Sequence, residues 1–196
     1  SNTEGNITTQ VSANPTAGFS IVKSNGPGTS GHGLNSTPKF IIQKSTTAGN
    51  WNVAHHDLYG PTDTGKLLLN STDPVVASGT TYMHNATATT FDPLFSAEQI
   101  AYVWAEVEGF SKFGSYVGNG STDGPFVYCG FKPAWVMVKR VTTGANEGWP
   151  IFDSSRGPSN PNPKQIYANS FSKSAPTWTA RWHLIVPVRS HSFQPW

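Results

Sequence analysis

The chain has 196 residues, of which only 12% are charged, a formal charge of +2 and seven tryptophans. That length suits one large domain or two small ones, and the Lys and Arg are too few and too scattered for a nucleic-acid partner. Charged residues stand at about half their usual share while Gly, Pro, Ser, Thr and Asn abound, so turns and strands are expected rather than long helices, and the patterned apolar runs argue against disorder.

Taken in chain order, residues 1–17 are polar, with Ile7, Thr9 and Val11 alternating before Asn14-Pro15. Alternate β-branched residues predict a strand, one with little of its own to bury. Gly18–Lys23 is the next predicted strand, leading into Asn25-Gly26-Pro27-Gly28, and Pro38–Lys44 follows, beginning at a proline, where a strand tolerates one. Trp51–His55 and Lys66–Asn70 come next, then the weaker segments Thr80–His84 and Thr89–Phe95. Ser96 and Gln99 have the spacing of a capping box and predict at most one helical turn before the strand Ile100–Val107. Lys112–Val117, Pro133–Arg140, Trp149–Phe152 and Lys164–Ala168 complete the set. Asn-Gly at 25–26 and at 119–120 predicts the positive φ of tight hairpin turns. Pro176–Trp196 contains three tryptophans and no acidic residue and has no visible counterpart earlier in the chain.

Two stretches repeat one pattern. Phe19 matches Phe113, Asn25-Gly26 matches Asn119-Gly120, Pro38 matches Pro133, Phe40-Ile41-Ile42 matches Trp135-Val136-Met137, and Lys66–Ser71 matches Lys164–Ser170. A period of roughly 95 residues is too long for a solenoid unit and predicts two copies of one half-domain. The expected fold is an all-β antiparallel sandwich of jelly-roll or concanavalin-like kind, with an extended segment at 1–17 and a single domain over 18–196. Its half-repeats are about 18–99 and 112–196.

The residues AEVEGFSKFGSYVGNGSTDGPFVYCGFKPAWVMVKR, with NPTAGFSIVK and HGLNSTPKFIIQK, resemble a domain of unknown function that recurs in tail-fibre and other virion structural proteins of bacteriophages. The resemblance covers most of Ile7–Ala168. It implies a concanavalin-like jelly roll without assigned catalytic residues, located outside the cell or on a virion, and similar domains suit bacterial extracellular filaments.

Each candidate chemistry has an ordinary competitor. Cys129, the one cysteine, excludes an internal disulfide and a cysteine-rich zinc site and reads as a small buried thiol on a strand. Glu106 and Glu108, two apart on a predicted strand, share a face at roughly 7 Å, a glycosidase-like pairing, but an exposed charged strand end is the commoner meaning. His55-His56-Asp57 suggests metal binding, yet neighbours on a strand point to opposite faces, so no metal and no cofactor are expected. No nucleophile elbow of the type Gly-x-Ser-x-Gly occurs, so an enzyme is not expected. Trp51 and Trp149, at equivalent places, are sugar-contact candidates against a core-filling alternative, and Trp104 and Trp135 read as core. Asn-x-Ser/Thr occurs at Asn6, Asn35, Asn70, Asn85 and Asn119, where on the order of three such triplets would arise by chance.

No apolar run approaches the roughly 18–20 residues that cross a bilayer, so no membrane insertion is expected. A start at Ser1 suggests a processed product or a piece of a longer protein. The expected function is structural: a self-assembling subunit of an extracellular or virion fibre whose partners are copies of itself. Its N-terminal segment around Ile7, Thr9 and Val11 would leave its own body to add a strand to a neighbour. The alternative is an adhesin module of a tail fibre that binds cell-surface glycans.

Overall fold

A computed structural model describes residues 1–58, 65–77, 85–121, 124–142, 147–158, 164–170 and 181–187, with residue 77 and residues 181–187 described for their backbone. The predicted strand Thr80–His84 lies outside the described residues. The chain forms two compact units, residues 1–70 with 75–106, and residues 71–74 with 107–196. The boundary falls between the two sequence repeats.

The first unit holds β1 (Gln10–Asn14), β2 (Phe19–Asn25), β3 (Ser30–Gly31), β4 (Pro38–Ser45), β5 (Asn52–His55), β6 (Gly65–Leu68), β7 (Val76–Ala77), β8 (Thr90–Phe91) and β9 (Glu98–Ala105). The second holds β10 (Ser111–Val117), β11 (Trp135–Arg140), β12 (Pro150–Asp153), β13 (Gln165–Tyr167) and β14 (Arg181–Pro187). All named pairings are antiparallel, so the all-β antiparallel class expected from the sequence is the class observed.

The unit 1 sheet has the order β1-β2-β9-β4-β5-β6-β7 and the unit 2 sheet the order β10-β14-β11-β12-β13. The repeat is therefore topological. In each unit a late strand, β9 or β14, enters between two strands that are earlier in the chain. This corrects two expectations. Asn25-Gly26 and Asn119-Gly120 do carry positive φ at the glycine, 92° and 74°, but they do not close hairpins, because the strand after the first, β3, pairs with β8 and not with β2, and β14 lies between β10 and β11. Pro176–Trp196 does have a counterpart: β14 takes the place of β9. The two share little beyond β-forming composition, which is why comparison of residues did not pair them.

Burial alternates along β9 without a break: Gln99, Ala101, Val103 and Ala105 face inward, and Ile100, Tyr102 and Trp104 face the other way. A period of two is what a strand with distinct faces requires. Of these, Ala101, Val103 and Ala105 join Val22, Leu34, Ile41, Ala54 and Phe91 in the core of the first unit. Burying a Val, Ile or Phe side chain contributes roughly 1.5–3 kcal/mol each, so this cluster is the main apolar support of the sheet. The predicted helical turn at Ser96–Gln99 does not form. Gln99 is a buried strand residue whose side-chain amide donates to Phe95 O at 2.9 Å, so tertiary pairing overrides the capping pattern.

The repeat extends to single hydrogen bonds. Trp51 N–H donates to Asn70 Oδ1 at 2.9 Å and Trp149 N–H to Asn169 Oδ1 at 3.0 Å. Leu69 N–H donates to Trp51 O at 2.9 Å and Ala168 N–H to Trp149 O at 3.2 Å. One pairing of the repeats needs correction. Gly18 before β2 and Gly109 before β10 both adopt left-handed φ, 62° and 71°, and each is followed by buried residues, Ser20 and Val22 or Ser111 and Phe113. Phe113 is thus the equivalent of Val22, and Phe19 that of Phe110. Matching phenylalanines by residue type had reversed the faces of the strand.

Candidate functional site

The N-terminal segment lies on its own unit. β1 pairs with β2 from Gln10↔Lys23 to Asn14↔Phe19, and bridges join Asn2 to Thr9 and Ile7 to Ser30. Thr9 is 1% exposed, with its hydroxyl donating to Gly31 O at 3.3 Å, while Ile7 and Val11 are half-buried. The alternation of Ile7, Thr9 and Val11 therefore places one face inward. Along β1 itself only Val11 is withdrawn from solvent, so the backbone ladder supplies most of its attachment.

An aromatic row lies on the face of the first sheet opposite its core cluster. Trp51 and Tyr102 rings are 6.3 Å apart and within 24° of parallel, and Tyr102 and Trp104 are 6.4 Å apart and within 28°. Trp104 then meets Phe19 at 4.9 Å and Phe40 at 5.3 Å. The register explains the row: Phe19, Trp104 and Phe40 are cross-strand neighbours, and Ile21 stands opposite Tyr102. Trp51 is 36% exposed and Ile21 38%. Trp104, expected in the core, belongs to this outer face. Trp135 is half-buried. Trp149, in contrast to Trp51, is completely buried and offers no face to a sugar.

The buried side of the second unit holds a lysine. Lys139 on β11 has no exposed surface; its ammonium donates to Thr72 O at 3.0 Å and Glu147 O at 2.6 Å, and lies 6.0 Å from the centre of the Trp149 ring. Burial lowers its pKa from 10.5 to about 8, against the opposing pull of Glu147 and Asp73, and Arg140 lowers it further. Glu147 also pairs with Arg140 at 3.2 Å. The repeat shows the lysine pattern, since Lys44 precedes it in the first copy, but not the burial. Lys44 is half-buried and donates to Ser45 O and Thr47 O, both at 2.9 Å. His32 is likewise a polar core residue without a sequence signal. Leu34 N–H donates to its Nδ1 at 3.2 Å, leaving Nε2 to donate to Thr87 O at 3.3 Å, so the ring is held neutral, and burial lowers its pKa.

The histidine cluster departs from the expectation. The strand ends at His55, and His56–Leu58 form a 3-10 turn, so the rule of opposite faces does not apply. One ligand atom from each of His55, His56 and Asp57 lies within 4.8 Å of the others. The imidazoles stack at 4.9 Å. Local hydrogen bonding already engages them: Asp57 N–H donates to His55 Nδ1 at 3.1 Å, and His56 Nδ1 lies 3.1 Å from Asp57 Oδ1. The three residues form a turn with local bonds at His55 Nδ1 and between His56 and Asp57, and Asp153 of β12 stands in the place that His55 holds in β5.

Glu106 and Glu108 are not two apart on a strand. β9 ends at Ala105, Val107 makes a single bridge to Ser111, and Glu108 lies in a turn, so the paired-carboxylate geometry is lost. Cys129 is half-buried in an extended stretch outside the ladders, its thiol 3.7 Å from Val127 O and its pKa raised by burial. That stretch alternates: Val127, Cys129 and Phe131 pack against Val138, while Phe126 and Tyr128 are 89% and 76% exposed. Asn6, Asn35, Asn70, Asn85 and Asn119 are all exposed. Asn70, however, is the structural partner of Trp51, and Asn85 donates to Asp92 Oδ2 at 2.7 Å. No helix among the described residues is long and apolar enough to cross a membrane.

No curated protein and no solved structure matches the chain. A family model described as Domain of unknown function (DUF7483) matches residues 1–185, a span that takes in both repeats and most of β14. The chain belongs to that family.

Proposed function

We propose that the protein is a structural, self-assembling subunit or module of an extracellular or virion fibre, with neighbours linked by strand addition through the N-terminal strand. The observation that carries this reading is β1. It is an edge strand, attached to its unit by a backbone ladder and by Val11, with its other four residues exposed. Such an edge is a template for pairing with another chain. The low charge of the chain, 12% charged residues, suits packing of like against like. The partners are copies of the same chain, and no cofactor enters the function.

Electron microscopy with size-exclusion light scattering of the whole chain tests this. Regular polymers are expected from the whole chain and a folded monomer from one lacking residues 1–14. Polymers that persist unchanged after the deletion would refute a link through β1.

A second reading, a carbohydrate-binding adhesin module of a tail fibre, is favoured by the row Trp51–Tyr102–Trp104. Near-parallel, part-exposed rings on a sheet face are a stacking platform for sugars. Saturable glycan binding that Trp51→Ala removes would move the conclusion to this reading.

A further inference from the structure

The N-terminal arm, residues 1–9, is held by backbone and hydroxyl bonds to residues 29–31. Ile7 N–H donates to Thr29 O at 3.3 Å, Asn6 N–H to Thr29 Oγ1 at 3.0 Å and the Thr9 hydroxyl to Gly31 O at 3.3 Å. The approach is close: a Cβ at Gly5 would collide with Thr29 O, and one at Gly31 with the Asn2 side chain. What the arm rests on is small. β3 is two residues long and pairs with β8 through Ser30↔Phe91 and Gly31↔Thr90. His32 follows it directly. Its N–H donates to Thr89 O at 3.0 Å, and its ring, with no exposed surface, lies 6.3 Å from the Phe91 ring, accepts Leu34 N–H at Nδ1 and donates from Nε2 to Thr87 O. The ring thus ties the arm's support to residues 87–91, and it does so in the neutral form. With a proton on both nitrogens, Nδ1–H would face Leu34 N–H, donor against donor, and a charge would stand in the core.

We propose that His32 is an acid-operated latch for the arm: a second proton on its ring breaks the Leu34 bond, frees β3 from residues 87–91 and so releases residues 1–9. The released state puts the ring in water, where it titrates as an ordinary histidine, near 6.5, whereas burial lowers that value in the closed state. The bond to Thr87 O and the negative charge of Glu4 favour the charged ring, and burial outweighs both. Below 6.5 the open state therefore holds more protons than the closed one, so acid favours opening, and the closed state keeps its full advantage above 6.5. The charged groups on the surrounding elements are Glu4 and the Ser1 amino group on the arm and Asp92 after β8. Asp92 accepts from Asn85 Nδ2 at 2.7 Å. The latch goes beyond the strand-addition reading and stands without it. In that reading, release adds Ile7 and Thr9 to the strand that a neighbour can take.

Hydrogen exchange of the whole chain tests this, read by mass spectrometry from about pH 7 to about pH 5 and corrected for the intrinsic rate at each pH. Protection of residues 2–9 and 32–34 is expected to fall by up to about tenfold per pH unit below 6.5, while β9, bonded on both sides, keeps its protection. In His32→Gln, which cannot take the proton, the fall is expected to vanish. Protection of residues 2–9 that is flat across the range, or that falls equally in His32→Gln or together with β9, would overturn the latch. Should His32→Gln fail to fold, NMR titration of the wild-type ring decides. Its protonation is expected to coincide with loss of protection at residues 2–9, and a ring that takes up its proton while that segment stays protected would sink the proposal. Exchange reads release and microscopy reads polymers, so failure of the latch leaves the strand-addition reading to its own test.

Discussion

Replacing Lys139 by methionine keeps the length of the buried side chain and removes its charge. In the folded protein the ammonium releases its proton near pH 8, and in the unfolded chain near 10.5. Below pH 8 both states hold the proton, and the folded state bears the cost of a buried charge. Between those values the unfolded state holds more protons, so stability rises with pH, and the gain is complete above 10.5. At about 1.4 kcal/mol per tenfold, the difference between 10.5 and about 8 corresponds to about 3 kcal/mol. The methionine variant lacks this rise. It also leaves Thr72 O and Glu147 O without their donor, which costs about 1–3 kcal/mol and offsets much of the benefit of removing the charge at neutral pH. Urea unfolding followed by tryptophan fluorescence from pH 7 to 11 measures the difference between the two proteins at each pH. Tyr116 and Cys129, whose pKa values burial raises, titrate alike in both proteins and cancel. The wild type is expected to gain about 3 kcal/mol on the variant across that range. A difference that stays constant within about 0.5 kcal/mol would refute the account of Lys139 as a desolvated lysine.

Trp149→Ala removes a fully buried ring and is expected to cost about 3–5 kcal/mol, whereas Trp51→Ala, at the equivalent exposed place, costs far less; equal losses in thermal unfolding would contradict the asymmetry of the repeats. Gly109→Ala places a Cβ at φ 71° with nothing within 4 Å, so only the backbone penalty of about 1–2 kcal/mol is expected, and a larger loss in urea unfolding would mean that φ is not the constraint. Asn169→Ala removes the acceptor for Trp149 N–H, and Asn70→Ala the acceptor for Trp51 N–H. The first is expected to cost more, about 1–3 kcal/mol, because Trp149 is buried, and calorimetry of the two variants checks the order. Phe126→Ser with Tyr128→Ser alters stability by less than about 0.5 kcal/mol, since both side chains face solvent, and a marked loss would show that they pack.

The sequence determined the elements. Alternation along Ile100–Val107 and Pro38–Lys44, prolines at strand starts and Asn-Gly before the loops located most strands to within a few residues, because a strand's faces and its breakers are local properties. The repeat was legible for the same reason: Asn70 and Asn169 stand at matching places and make matching hydrogen bonds. Which strands pair was not legible. The insertion of β9 between β2 and β4, and of β14 between β10 and β11, is set by long-range ladder bonds and by the shared burial of Val22, Ile41 and Val103, and local pattern carries no record of either. The candidate sites divided in the same way. The alternation at Ile7, Thr9 and Val11 marked strand character with little of its own to bury, but the burial of Thr9, the burial of Trp149 against the exposure of Trp51, the turn that gathers His55, His56 and Asp57, and the desolvation of Lys139 depend on what packs over each residue. Only the tertiary structure decided those, because burial and pKa are properties of the surroundings and not of the residue type.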